Sequence, residues 1–163
     1  MDEALTQTSF LDRAARWILL ITFFLMPIFV VPSVTVPFGF SKTALFMILT
    51  ALAAGLWAIA RLKDGVISFP RTALFPILAV LLAVNVVATL ASGALALSWS
   101  GAFFDVGSLV FLLTLAVFLF LFVSLIRSAE EVFYAYLLFF ISAALVALFH
   151  LIRFVGGPSV LSF

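Results

Sequence analysis

Residues 106–126 read VGSLVFLLTLAVFLFLFVSLI, a run bounded by Asp105 and Arg127 with no charged side chain inside it. An α-helix rises about 1.5 Å per residue, so this run is long enough to cross the roughly 30 Å hydrocarbon core of a bilayer. Four further stretches have the same character, with charges standing between them: Trp17 to Ser41, Thr43 to Ala60, Thr72 to Phe104 and Val132 to Ile152. The Thr72 stretch exceeds one crossing, and Ser92, Gly93, Ser98, Trp99, Ser100 and Gly101 make its latter part read as a loop. The sequence therefore predicts an all-α integral membrane bundle of about five transmembrane helices. They are expected over residues 12–36, 43–62, 72–92, 106–126 and 131–152, within one membrane domain covering 1–163.

Composition carries the same message. Of 163 residues, 67% are hydrophobic and 9% charged, against about half and a quarter in a soluble domain. Too few polar side chains remain to cover a water-facing surface, so lipid must be the solvent for most of the chain. A net charge of +1, without any basic stripe interleaved with aromatics, argues against nucleic acid as a partner. The absence of cysteine excludes disulfides, thiolate metal ligands and cysteine nucleophiles. One histidine and seven carboxylates leave no zinc or di-iron ligand set, and no cofactor is expected. No phosphate-binding loop, nucleophile elbow, zinc-protease motif or dinucleotide fingerprint occurs, and no internal repeat. Asp2, Glu3 and Asp12 ahead of the first apolar stretch, and prolines where a cleavage site would stand, predict a retained helix and not a secretory signal.

Local chemistry marks the helix ends. Ser9 precedes Asp12 by three residues and Ser128 precedes Glu131 by three, the spacing at which side chain and backbone cap each other reciprocally. Helices should start near Phe10 and Ala129; Thr72 and Asp105 are plausible caps for the third and fourth, and Pro76 lies early enough to be tolerated. Pro27, Pro32 and Pro37 recur through the second half of the first span. A straight helix cannot continue through all three, so regular helix should stop near Phe29 or Val31 and resume near Ser41.

Arg13, Arg16, Arg61, Lys63, Arg71 and Arg127 fall on one side of the five spans, and only Lys42 and Arg153 on the other. The positive-inside rule then places the amino terminus in the cytoplasm and the carboxyl terminus outside. Trp17, Trp57 and Trp99 all stand near span ends, where an amphipathic ring prefers to sit. The segment from Arg61 to Arg71, with a Lys63-Asp64-Gly65 turn, anchors the inner side.

Few residues offer chemistry. Asn85 and Thr89 share a face of the third span and are expected to hydrogen-bond between helices. Ala51 with Gly55, and Ala143 with Ala147, are small-x-x-x-small pairs suited to close helix packing within the chain. At the external side Lys42, Asp105, His150 and Arg153 are the strongly polar side chains. Their cations suit a phosphate or pyrophosphate headgroup, and His150 suits proton transfer. Snorkelling of Lys42 and Arg153 to the interface, with His150 capping or packed, is the favoured reading of the four.

Several features occur in a particular order: the Pro-rich end of the first helix, Phe40-Ser41-Lys42 opening the second, and Trp57 to Lys63 closing it. Arg71-Thr72 before the third helix and Ser98-Trp99-Ser100-Gly101 outside follow. Over roughly residues 15–130 this resembles the amino-terminal membrane region of the O-antigen ligase and polymerase superfamily. The resemblance implies a multi-pass protein of the bacterial inner membrane, similar to lipid-dependent glycosyltransferases acting on glycans carried by undecaprenyl pyrophosphate. Family members hold their catalytic arginines and histidine on a large external loop in a second half that this sequence does not contain, so no catalytic residue carries over. The expectation is a truncated amino-terminal scaffold, inactive alone. A small accessory protein packing against a partner is the alternative. Half of an oligomeric transporter is disfavoured by the near-absence of ionisable groups inside spans.

Overall fold

A computed structural model of the chain describes residues 10–29, 38–65, 72–101 and 106–156. Among the described residues every regular element is helical: α1 (Phe10–Ile28), α2 (Phe38–Asp64), α3 (Leu74–Ala91), α4 (Leu95–Ser100), α5 (Leu109–Leu125) and α6 (Ala129–Gly156). Three segments are long and apolar enough to cross a membrane, Gly39–Asp64, Leu74–Ala91 and Ala129–Val155, and Leu109–Leu125 is a shorter apolar helix. α1 is 19 residues long but carries Asp12, Arg13 and Arg16 in its first two turns.

The helix boundaries depart from expectation where local chemistry intervenes. α1 stops at Ile28, well short of residue 36, with Pro27 in its last turn; proline offers no N–H to the carbonyl one turn back and so weakens the helix there. Pro32 and Pro37 lie outside the described residues, and helix has resumed by Phe38, before Ser41. α3 begins at Leu74 behind Ala73, without a side-chain cap, so Thr72 does not cap it. Pro76 falls in its first turn, where no backbone donor is missed. α5 begins at Leu109 and not at Val106: Ser108 caps it, its hydroxyl accepting from the Phe111 N–H at 3.3 Å, while Asp105 is outside the described residues. The stretch read as a loop after Ser92 contains a helix of its own, α4, ended by Gly101 at φ 68°. Lys63 and Asp64 are helical, and Gly65 follows at φ 66° with its N–H on the Arg61 carbonyl at 2.9 Å.

Pairings across the bundle fix the helix directions. α1 and α2 are antiparallel, since Asp12 pairs with Arg61 at one end and Lys42 reaches Pro27 at the other. α6 runs parallel to α1, with Arg16 on Glu131 and Leu20 clustered with Ala135. α5 runs parallel to α2, because Phe46 meets Phe111 and Phe118 while Trp57 meets Phe120. Phe75 near the start of α3 also meets Phe120, so α3 opposes α5. Neighbours in sequence thus alternate up and down. α1, α2 and α5 form the centre, with α6 against α1 and α3 against α5.

Packing follows a three-four spacing. On α2 the inward residues are Thr43, Phe46, Thr50, Ala53, Trp57 and Ala60; on α1 they are Asp12, Ala15, Leu19 and Thr22. This spacing keeps one seam facing a partner along the helix. Ala15, Leu19, Ala53 and Ala60 have no exposed surface. Alanines on both helices let the backbones approach, which matters in lipid because the hydrophobic effect no longer drives helices together and close contact must. Phe23, Phe46, Phe118 and Phe122 fill the centre with ring centroids 5.0 to 6.3 Å apart. Each such pair adds about 0.5–1.5 kcal/mol beyond simple contact.

Candidate functional site

Polar side chains gather at the two ends of the bundle. At the end where α1 and α6 begin, Asp12 and Arg16 stand one helical turn apart and point to different neighbours. Asp12 on α1 pairs with Arg61 on α2, whose Nη1 also lies 3.7 Å from the Asp64 carboxylate. Arg16 pairs with Glu131 on α6. Glu131 serves twice. Its second oxygen accepts from the Arg127 N–H at 3.0 Å and lies 3.5 Å from the Ser128 N–H, while the Glu131 N–H donates to the Ser128 hydroxyl at 3.2 Å. The reciprocal cap expected from Ser128 and Glu131 is therefore formed, and the same carboxylate also ties α6 to α1. Three helices are joined by one charged layer, with Asp12 only 6% exposed.

Sequence reasoning missed these pairs. It counted Arg16 and Arg61 among orienting cations and read Asp12 and Glu131 as caps. A signal did exist for Asp12: it stands in phase with Ala15, Leu19 and Thr22, so its position belongs to the buried seam. An acid at a buried seam position needs a cation opposite it.

The other end is sparse. Lys42 Nζ donates to the Pro27 carbonyl at 3.3 Å, where the end of α1 leaves backbone oxygens without helical donors and a partial negative charge. Lys42 is thus a cross-helix cap for α1. His150 Nδ1 lies 2.8 Å from the Val146 carbonyl of its own helix, and His150 and Arg153 are both exposed. α2 and α6 do not touch, so Lys42 is not brought together with His150 and Arg153; Asp105 lies outside the described residues. Among the described residues, Lys42, His150 and Arg153 belong to one end of the bundle, without a contact between α2 and α6. Among the described residues no group of three or more potential metal ligands occurs.

The remaining candidates fall on the helix faces. Asn85 and Thr89 lie on the less exposed side of α3 with Phe75, Leu78 and Leu82, but the Asn85 amide donates to Leu81 O within its own helix, at 2.8 Å. The amide satisfies itself locally and makes no interhelical bond through that donor. Ala51, Gly55 and Ala147 are exposed and Ala143 half-buried, and a Cβ placed on Gly55 would meet nothing within 4 Å. The small residues that seal helix contacts are instead Ala15, Ala53, Ala60 and Ala135. Thr50 Oγ1 and Ser124 Oγ are buried without a hydrogen-bond partner, a cost of about 1–3 kcal/mol each.

Lys42 and Arg61 on α2, Ser108 and Arg127 flanking α5, and Glu131 and His150 on α6 are equally spaced in sequence. At about 1.5 Å per residue each interval is about 28 Å, close to the hydrocarbon thickness of a bilayer. No family model, curated protein or solved structure matches the chain.

Proposed function

We propose that this chain is the amino-terminal transmembrane scaffold of an O-antigen ligase-like protein. In this reading it spans the bacterial inner membrane five times, amino terminus inside, and supports transfer or polymerisation of glycans carried on undecaprenyl pyrophosphate. The observation that carries the reading is the bond from Lys42 to Pro27. The Pro-rich end of the first helix and the Phe-x-Lys opening of the second are two of the features on which the resemblance rests, and here they make one device. Exposed Arg13, Lys63 and Arg127 at the charged end favour that end as the cytoplasmic one.

Two experiments test this. Because the chain has no cysteine, Leu62→Cys and Phe154→Cys, both at exposed positions, report sidedness cleanly. An impermeant maleimide should label Phe154→Cys in intact cells and Leu62→Cys only after lysis; the reverse pattern overturns the orientation. In proteoliposomes a photoactivatable undecaprenyl-pyrophosphate glycan should crosslink to the chain above an undecaprenol control, without turnover. Turnover by the chain alone would end the scaffold assignment, and crosslinking no better than the control would end the link to lipid-borne glycans.

A further inference from the structure

The six residues Leu95–Ser100 are too few to cross a bilayer and too few to hold a helix unaided in water. Yet α4 is helical, with Ser98 N–H on Ala94 O at 3.0 Å and Gly101 N–H on Leu97 O at 2.8 Å. Its tie to α3 is polar: the Ser92 and Ser98 hydroxyls lie 2.8 Å apart, and Ser92 also donates to the Thr89 carbonyl at 2.9 Å. The large side chains face outward, Leu95 at 54%, Leu97 at 59% and Trp99 at 53% exposed. Leu95 and Trp99, four residues apart, share one side of the helix.

The height of α4 follows from its neighbours. α3 ends at Ala91 and α5 begins at Leu109, both at the end of the bundle opposite the charged layer, and α4 packs on each. It therefore lies level with Ser108 at the start of α5, about 28 Å along α5 from its charged end, where headgroups meet acyl chains. Water at that level would leave three large apolar side chains solvated. The hydrocarbon centre would strand the polar serine corner and the free ends of the helix. The boundary satisfies both, since it takes indole rings and leucines on one side and hydroxyls on the other, and an internally bonded backbone lowers the cost of entry.

We propose that α4 is an interfacial wedge whose partner is the lipid surface, with Leu95 and Trp99 seated at the headgroup boundary of the leaflet opposite the charged layer. The inference rests on the bilayer reading and not on any assignment to glycan chemistry. In the variant Trp17→Phe/Trp57→Phe, Trp99 is the sole tryptophan, since the chain holds three. Reconstituted into phosphatidylcholine vesicles brominated at graded depths, its fluorescence should be quenched most by the shallowest bromines. Strongest quenching from the deepest bromines overturns the proposal. So does quenching by aqueous acrylamide with none from any brominated lipid, or quenching by neither, which would mean cover by protein. A nitroxide on Leu97→Cys, read by depth-dependent spin relaxation with oxygen and a nickel chelate, gives the same measurement with every tryptophan in place. A headgroup-level depth supports the wedge, and a depth at the bilayer centre or in bulk water removes it.

Discussion

Ala53 and Gly55 stand two residues apart on α2 and live in opposite surroundings. Ala53 has no exposed surface and lies in the core with Ala15, Leu19 and Phe118. Gly55 has open space around it, on a face it shares with Ile48, Leu52, Ile59 and Leu62, which are 47 to 83% exposed. One side of α2 reads small, polar and aromatic, and the other aliphatic. In water the aliphatic side would turn inward. Here it turns out, because lipid solvates leucine and isoleucine as well as a protein core does, whereas only another helix accommodates Asp12 and Arg61. Which face of a membrane helix is buried is therefore set by polarity and by shape, not by hydrophobicity.

The largest effect should come at the charged end of the sealed face. Arg61→Met takes from Asp12 its partner on α2, and breaking a buried pair costs about 3–5 kcal/mol. Denaturation in mixed micelles, followed by circular dichroism, should show it. The double variant Asp12→Leu/Arg61→Met should recover most of the loss, since acid and base leave the seam together. A double variant as unstable as the single one would mean that the pair is not what holds α1 to α2. Next in size is Ala53→Leu, which forces three carbons into the seam and should destabilise by about 1–3 kcal/mol. The same change in size at Gly55 should cost nothing, and equal losses at the two positions would erase the distinction between the faces.

Lys42→Met should cost less, about 0.5–1 kcal/mol, as expected for a cation at a helix carboxyl end. Lys42→Arg should keep much of that contribution. If Lys42→Met left stability unchanged but weakened crosslinking to the pyrophosphate donor, Lys42 would act on a headgroup and not on α1.

The charge-free runs made the helices legible in the sequence because crossing length is a local property, and the cap at Ser128 and Glu131 was legible for the same reason. The partners of Asp12 and Arg16 were not, since each lies on another helix and no local rule selects it. The seam through Thr43, Phe46, Thr50, Ala53, Trp57 and Ala60 was present in the residues, but alanine and threonine give little hydropathy contrast against leucine. Ala51 and Gly55 drew attention as a packing pair because their spacing is right, yet spacing does not say which side of a helix meets a neighbour. α4 was hidden by Ser92, Gly93 and Ser98, which signal a turn whether or not a short helix follows.

Gly55→Ala is the smallest expected effect and the most discriminating. Gly55 is in a helix interior at an ordinary helical conformation, and a Cβ there meets nothing. Replacing glycine by alanine should therefore stabilise the chain by about 0.5 kcal/mol in detergent, through the reduced freedom of the unfolded backbone. In native membranes the sign depends on what lies against the face. Lipid chains yield to one methyl group, so the gain should persist if the face meets lipid. A second helix packed on Ala51 and Gly55 would not yield, and protease resistance in membranes would then fall while stability in detergent rose. Agreement in sign between the two media places the open side of α2 in lipid; disagreement would show that a partner covers it in the cell.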